Sequence, residues 1–140
     1  MEIGQRLVVA SNRLPVEIKR VGENWHVAPV AGGLVTALTP IMTRNRGLWI
    51  GWPGCSDDVP VEDLLHAATG ESPYDLRAVV LTREEEEGYY RGFANESIWP
   101  LFHDLLGHCR FDLENFRSYM AVNRRFAEAI AQSVDGDSMI

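Results

Sequence analysis

Three residues early in the chain have the types and placement to bind an anion. Arg13 follows a short β-branched apolar run, and a guanidinium at the end of a strand can hold a phosphate through two parallel hydrogen bonds. Gly32 and Gly33 directly precede a segment with helical spacing. Glycine lets the main chain approach a phosphate, and a helix N-terminus adds free N–H groups and a positive dipole. The alternatives are a surface ion pair for Arg13 and a tight loop at the glycines.

Aromatic side chains concentrate in the middle of the chain, and they suit sugars because their rings can cover the apolar face of a sugar while polar tips reach its hydroxyls. Trp52 and Trp99 each stand beside a proline at the predicted end of an element. We therefore expect both to be exposed at a cleft, while core packing explains some of the other rings. The set is Trp49, Trp52, Tyr89, Tyr90, Phe93 and Trp99.

Several other chemistries lack their motifs. The two glycines are not part of a Gly-x-Gly-x-x-Gly fingerprint and no Walker lysine follows them, which disfavours nicotinamide dinucleotides and P-loop hydrolysis. His103 and His108 are five positions apart, whereas a zinc-binding pair on a helix needs a spacing of four. No Gly-x-Ser-x-Gly elbow occurs. We therefore predict no metal site, no cofactor and no catalytic nucleophile in this chain.

Composition predicts one globular domain, since the chain has 140 residues, 46% hydrophobic and 24% charged. A net charge of −7 disfavours nucleic acid as a partner. The longest apolar run, Leu7 to Ala10, is too short to span a membrane, and the first residues lack a signal-peptide pattern. Cys55 and Cys109 lie far apart, which predicts two buried free thiols in a reducing cytoplasm.

Hydropathy predicts the framework, an α/β domain with a mostly parallel sheet. Thr82 and Glu85 form a capping box that starts one helix, and we expect that helix to break at 95–100. Ser138–Ile140 reads as the first residues of another strand, so we expect the sequence to stop within an element. The predicted strands are 6–11, 16–21 with 24–29 as a hairpin, 47–52 and 76–82, and the predicted helices are 34–42, bent or ended by Pro40, 61–68, 83–93 and 116–133.

The last predicted helix has an apolar face that we expect to pack on the sheet. Its members are Phe116, Tyr119, Met120, Asn123, Phe126, Ala127 and Ile130.

Six segments together resemble, in the same order, the N-terminal part of the trehalose-6-phosphate synthases, which are retaining glycosyltransferases of family 20. Any one segment is weak evidence, whereas the ordered set is specific. The segments are Val8–Pro15, Ala31–Leu38, Trp49–Gly54, Tyr89–Asn95, Ile98–His103 and Tyr119–Arg124.

The resemblance implies a Rossmann-like N-terminal domain of a GT-B glycosyltransferase. Residues 1–140 would be the acceptor-side domain, incomplete at its C-terminus, and the second, nucleotide-sugar-binding domain would be absent. The implied reaction transfers glucose from UDP-glucose to glucose 6-phosphate and gives trehalose 6-phosphate without a required metal. We expect a cytoplasmic enzyme, inactive as this fragment, and the resemblance leaves a homo-oligomer of the full enzyme open.

Site roles also follow from the resemblance. Arg13 would bind the acceptor phosphate, and Tyr90 and Trp99 would line the acceptor site with Trp52 near it. Gly32 and Gly33 would lie against the donor diphosphate, which agrees with the interpretation from residue types. Two alternatives remain: a transferase similar to glucosylglycerol-phosphate synthases, with another phosphorylated acceptor, and a non-catalytic module that binds sugar phosphates.

Overall fold

Four parallel strands form the central sheet, and a separate hairpin precedes the first helix. The computed structural model describes residues 6–70 and 72–140; residues 1–5, on which the expectation of no signal peptide rests, lie outside that part. The strands are β1 (Arg6–Arg13), β2 (Val16–Val21), β3 (Asn24–Pro29), β4 (Leu48–Trp52), β5 (Asp75–Ala78) and β6 (Ser138–Met139).

The parallel strands lie in the order β5-β4-β1-β6. β2 and β3 pair antiparallel with each other. The chain fills one side of β1 with β4 and β5 and then crosses to the other side for β6. β1 therefore ends at the point where the winding reverses, which is where open α/β sheets hold their ligands.

The helical elements cover both sides of this sheet. One long helical stretch changes its hydrogen-bonding pattern twice: an α-helical turn, a π-helix and a final α-helical turn follow one another without a gap. The elements are α1 (Gly33–Asn45), α2 (Val61–Thr69), α3 (Arg83–Glu85), the π-helix (Glu86–Ile98), α4 (Trp99–Phe102), a 3₁₀ turn (Leu106–His108) and α5 (Leu113–Ala131).

The core has two layers that β4 separates. Every residue of β4 is buried, as expected of a central parallel strand covered on both faces. Leu48, Ile50 and Trp52 belong to the layer that contains Val122 of α5, and Trp49 belongs to the layer that contains Met42 of α1. Each fully buried side chain of this size contributes roughly 1.5–3 kcal/mol, so β4 anchors both layers.

Most predicted elements are confirmed, including the hairpin and the Thr82–Glu85 capping box. β5 ends at Ala78 rather than Thr82 because its partner β4 ends at Trp52 and Pro53 follows. The Val79 N–H still bonds the Gly51 carbonyl at 2.8 Å. Beyond it only an isolated bridge joins Ser56 to Leu81.

The predicted break at 95–100 is wrong, because helical structure continues from Arg83 to Phe102. The Trp99 N–H bonds the Ala94 carbonyl, five residues back, in the π-helical pattern. Pro100 then occupies the first turn of α4, where a missing N–H is tolerated. Pro40 likewise lies inside α1, which continues to Asn45.

The apolar face predicted for α5 is only partly the face that packs: Phe126 and Ile130 pack on the core and Tyr119 stacks on Tyr89, as predicted, but the other members do not. Phe116, Met120, Asn123 and Ala127 are exposed, while Val122 and Ala129 are buried. The reason lies in the π-helix, where two glycines admit polar side chains of α5. A Cβ on Gly88 would stand 2.5 Å from the Ser118 Oγ, and one on Gly92 would overlap the Asn115 amide. The two glycines therefore determine which face of α5 packs against the π-helix.

We predict that Gly88→Ala destabilises the domain by about 1–3 kcal/mol, although alanine is the better helix former. The added Cβ would also lie 2.7 Å from the Ser118 Cβ, which the backbone of α5 holds in place. Urea unfolding followed by circular dichroism measures the loss. Gly70→Ala is the control, since a Cβ there meets nothing within 4 Å. Equal stability of the two variants would contradict the packing argument.

Candidate functional site

A bulge at the end of β1 aims Arg13. Ala10 pairs with Ile50 and Arg13 pairs with Trp52, so β1 carries one more residue than β4 over this stretch. The main chain of this bulge lies against Gly51. A Cβ on Gly51 would lie within 2.9 Å of three main-chain atoms of the bulge and of the residue that follows it. Glycine at this strand position is therefore required, and the bulge redirects the strand end as bulges beside ligand sites do.

Polar side chains tie the bulge to its surroundings. The Ser11 Oγ accepts a hydrogen bond from the Trp49 indole at 2.8 Å and donates to the Arg13 carbonyl at 2.7 Å. The Asn12 Oδ1 accepts a hydrogen bond from the Tyr89 hydroxyl at 2.8 Å. Burial, then the neighbouring tyrosines, raises the pKa of Tyr89 above its ordinary value. Tyr89 therefore stays a neutral donor that joins the π-helix to β1.

The Arg13 guanidinium is held in place while its hydrogen-bond donors stay free. Its central carbon lies 4.7 Å from the ring centroid of Trp52, a cation–π distance. Arg13 also forms the ion pair that its alternative role predicted, with Glu17 four positions on; the nearest carboxylate oxygen lies 3.8 Å from Nη2, which is beyond hydrogen-bond range. Gly54, at φ +82°, leaves room for the guanidinium where a Cβ would stand 2.5 Å from Nη2. Among the described residues we find no acceptor for its N–H groups.

Trp52 is buried, so its predicted exposure at a cleft is wrong. Only 2% of the residue is accessible, and its indole N–H donates to the Cys55 carbonyl at 2.8 Å. Arg13 lies over the ring, and the Tyr90 ring centroid is 6.2 Å away. Trp52 therefore supports the residues at the surface rather than presenting its own ring.

The structure brings Arg13, Trp52 and Tyr90 together and leaves Trp99 in a different contact. Tyr90 is 36% exposed and Trp99 is 52% exposed; the predicted exposure of Trp99 is therefore confirmed, and its place at a cleft stays a prediction. The Trp99 ring stacks on His103 at 4.0 Å with an interplanar angle of 19°. The His103 Nδ1 lies 2.7 Å from the Trp99 carbonyl oxygen, which holds the stacked pair at the C-terminal end of α4.

The N-terminus of α1 leaves its first main-chain N–H groups without a side-chain partner. It has no side-chain cap and no acidic residue in its first turn, so no side chain neutralises the positive end of the dipole. A Cβ on Gly32 or Gly33 would meet nothing within 4 Å, which argues against a loop that needs glycine for its own packing. The Val30 N–H bonds the Pro15 carbonyl at 2.9 Å, so this N-terminus begins close to the segment after Arg13.

Both cysteines are free thiols, as predicted. Cys55 is buried, and burial, aided by the Asp58 carboxylate, raises its pKa to about 11. Cys109 is half-buried, so its predicted burial is only partly correct. Its sulfur lies 3.8 Å from the carbonyl oxygens of Ser97 and Leu105.

The described residues, 6–70 and 72–140, lack the features of two other functions. They contain no group of three or more His, Cys, Asp or Glu side chains placed to hold a metal ion. They also contain no helix that combines the length and apolarity needed to cross a membrane.

Sequence reasoning assigned no supporting role to four residues that hold the site together. These are Asn12 and Tyr89, which join the π-helix to the bulge, and Gly51 and Gly54, which make space for β1 and Arg13. A glycine inside the apolar run of β4 is a recognised sign of a bulge or a close backbone approach. That sign could have identified Gly51. No local pattern links Asn12 to Tyr89, which is 77 positions away.

Comparisons with known proteins agree on one family. The model of "Glycosyltransferase family 20" matches residues 5–140. The trehalose-6-phosphate synthase of Mycobacterium tuberculosis is 41% identical over 132 residues, which are 90% of this chain and 26% of the relative. The chain thus spans about a quarter of that relative's length.

Solved structures have the same fold. An alpha,alpha-trehalose-phosphate synthase (UDP-forming) from Burkholderia vietnamiensis superimposes with a TM-score of 0.72 at 28% identity, over 97% of this chain and 26% of that one. An E. coli trehalose-6-phosphate protein bound with UDP-2-fluoro glucose superimposes with a TM-score of 0.70 at 26% identity, over 96% of this chain and 26% of that one.

The raised pKa of Cys55 predicts slow alkylation. At pH 8 a thiol with a pKa of about 11 is a thiolate about a hundred-fold less often than one at 9.0. We therefore expect iodoacetamide to label Cys55 in the native Cys109→Ser variant at least tenfold more slowly than in the same variant unfolded in urea. Mass spectrometry of timed samples measures both rates. Equal rates would contradict the burial and raised pKa of Cys55.

Proposed function

Because the chain belongs to glycosyltransferase family 20, we propose that it forms the acceptor-side part of an enzyme that transfers glucose from UDP-glucose to glucose 6-phosphate. The product would be trehalose 6-phosphate. The chain has a mixed α/β fold with a mostly parallel sheet and matches the N-terminal part of GT-B relatives, as the resemblance implied. The names of the relatives support the reaction, and the UDP-2-fluoro glucose bound by the E. coli protein supports the donor.

The observation that supports this proposal most directly is the position of the Arg13 guanidinium. Its guanidinium is fixed over Trp52 at the carboxyl end of β1, and apart from the 3.8 Å ion pair with Glu17 its N–H groups have no hydrogen-bond acceptor among the described residues. A phosphate fits such a group because two N–H donors can bind two phosphate oxygens in parallel. Little side-chain freedom would be lost on binding, since the ring already holds the guanidinium. We therefore assign the acceptor phosphate to Arg13.

The aromatic residues take different parts. Tyr90 stands beside the Arg13–Trp52 pair and is partly exposed, so it would contact the acceptor sugar. Trp99 would line the same site further along the helical stretch, with its ring supported by His103. Trp52 is too deeply buried to cover a sugar, and we propose that it acts as a positioning residue for Arg13.

The donor diphosphate would lie at the N-terminus of α1. Gly32 and Gly33 leave the main chain open there, and the uncapped first turn offers free N–H groups to phosphate oxygens. The bond between Val30 and Pro15 keeps this N-terminus near the acceptor residues. Donor and acceptor would thus meet at the carboxyl end of β1.

The chemistry we propose is displacement on one face of the donor sugar, with retention of configuration. The residues of this chain would hold the acceptor hydroxyl close to the anomeric carbon, and positioning of this kind accounts for a large share of the rate of two-substrate reactions. Cations that stabilise the departing diphosphate would come from the rest of the enzyme. We assign no catalytic residue to this chain.

We propose a cytoplasmic location, which the two free thiols support because structural disulfides are rare in that compartment. The net charge of −7 supports the further proposal that nucleic acid is not a partner.

We predict that glucose 6-phosphate binds this chain and that Arg13→Ala weakens binding by about tenfold or more. Charge-assisted hydrogen bonds contribute roughly 1.5–3 kcal/mol, and 1.4 kcal/mol corresponds to a factor of ten. Calorimetric titration measures both affinities, with glucose as the ligand that lacks phosphate.

Arg20→Ala is the matched control, since Arg20 also stacks on a tryptophan, Trp25, at 5.9 Å, but lies on the hairpin. Its loss should leave the affinity unchanged. Equal binding by wild type and Arg13→Ala would remove the assigned role of Arg13. Glycerol phosphate bound more tightly than glucose 6-phosphate would favour the alternative acceptor.

We also predict that this chain alone has no measurable transferase activity, because we assign the cations for the leaving diphosphate to the rest of the enzyme. The test is incubation of the purified chain with UDP-glucose and glucose 6-phosphate, followed by measurement of UDP release. Sustained release above the rate of a heat-denatured control would show that the chain contains its own diphosphate site.

A further inference from the structure

The outer side of β5 is an open sheet edge that borders a cleft. β5 stands at the end of the order β5-β4-β1-β6, and within residues 6–70 and 72–140 the one strand that pairs with it is β4. A cleft of about 610 Å³ lies between β5 and α2. It is lined by all four residues of β5 and by Glu62, Asp63, Leu65 and His66 of α2.

The main chain of β5 presents hydrogen-bonding groups at this edge. In a parallel pair, alternate residues of a strand bond to the same neighbour. The Val79 N–H bonds the Gly51 carbonyl at 2.8 Å, so Val79 and the residues two and four positions before it face β4. The N–H and carbonyl groups of Leu76 and Ala78 therefore point away from β4. An edge of this kind takes up a further extended segment through main-chain hydrogen bonds.

Acidic side chains determine the charge along the cleft. Glu62 and Asp63 are exposed in the first turn of α2. Asp75, at the start of β5, pairs with Arg6 at 2.6 Å, so the net charge of that pair is zero. The two α2 carboxylates therefore remain to attract a cationic side chain.

Arg77 also lines the cleft, but its guanidinium is bound on the other face of the sheet. Leu76 packs on the core layer that contains Leu65 of α2, and successive side chains of a strand point to opposite faces. The Arg77 Nη1 and Nη2 donate to the Ser133 Oγ and the Gln132 Oε1, both at 2.6 Å. Arg77 therefore does not neutralise the two α2 carboxylates.

We propose that this edge binds a separate polypeptide in extended conformation that carries lysine or arginine at alternate positions. The segment would bond to the main chain of Leu76 and Ala78 and extend the four-stranded sheet. Because the side chains of a strand alternate between its faces, all of its basic residues would project toward α2, where Glu62 and Asp63 lie.

Charge disfavours a second copy of this chain as the occupant. Two copies joined edge to edge would bring the same carboxylates together, and each chain has a net charge of −7. Like charges placed opposite each other destabilise strand pairing. β5 has four residues, so we expect a short segment and reversible binding.

Fluorescence anisotropy tests the proposal with the purified chain and a labelled peptide, Lys-Val-Lys-Val-Lys-Val. We expect saturable binding. A peptide with glutamate in place of lysine should bind about tenfold more weakly or worse, because the α2 carboxylates repel it. The lysine peptide methylated at every main-chain nitrogen keeps its charge but loses its N–H donors, so it should also bind about tenfold more weakly or worse.

Glu62→Gln combined with Asp63→Asn removes the two carboxylates and should weaken binding of the lysine peptide by about threefold or more, since each exposed ion pair contributes little. Glu84→Gln combined with Glu87→Gln is the matched control. These two glutamates are also exposed in first turns of helical elements, but they do not line the cleft. The control should leave the affinity unchanged.

Four outcomes would overturn the proposal. Equal affinity of the two double variants would remove the part of the α2 carboxylates, and equal binding of the methylated peptide would show attraction of charge alone. No binding at millimolar lysine peptide would show that the edge takes no such segment. A dimer in sedimentation that Glu62→Gln with Asp63→Asn tightens would make a second copy the occupant. The proposal goes beyond the proposed function, and no sugar or nucleotide enters these measurements, so its failure is distinguishable from that of the assigned reaction.

Discussion

The close approach of β1 to Gly51 is the constraint on which the ligand end of the sheet depends. β1 has one residue more than its partner over this stretch, and the main chain of β4 can lie against the bulge only where no Cβ intervenes. The bulge turns Arg13 onto the ring of Trp52 and leaves Leu14 bonded to the Trp52 carbonyl at 2.9 Å. The lack of a side chain at Gly51 thus permits the bulge that positions the Arg13 guanidinium.

The π-helix depends on the same bulge. Tyr89 bonds Asn12 there, and Tyr90, the next residue, stands beside Trp52. On its other side the π-helix meets α5 through Gly88 and Gly92, which admit Ser118 and Asn115. The packing of α5 therefore bears on the acceptor side through one hydrogen bond and one ring contact. Rigid elements that hold each other in this way suit a site that must keep its groups in place.

Within the site, burial distinguishes a residue that positions its neighbours from a residue that is exposed at the surface. Trp52 and Trp99 both stand beside proline in the sequence, and this shared setting suggested a shared exposure. Trp52 ends the central strand β4, where it is buried, and Arg13, its partner on β1, lies over its ring. Trp99 lies on α4, away from the sheet, and stays half exposed. We therefore give the two tryptophans different roles: Trp52 positions Arg13, and Trp99 presents its ring at the surface.

Local sequence determined much of this protein. Apolar runs specified the parallel strands, Thr82 and Glu85 specified a helix start, and the ordered motifs specified the family. Those features depend on residues close together in the chain, or on their order along it.

Tertiary structure alone decided the bulge over Gly51, the face of α5 that docks, the burial of Trp52 and the bond between Tyr89 and Asn12. Each depends on which side chains are absent or present on an element distant in sequence. The spacing of residues in a helix indicates which of its faces is apolar. Which face packs depends on the shape of the elements that it meets in the folded protein.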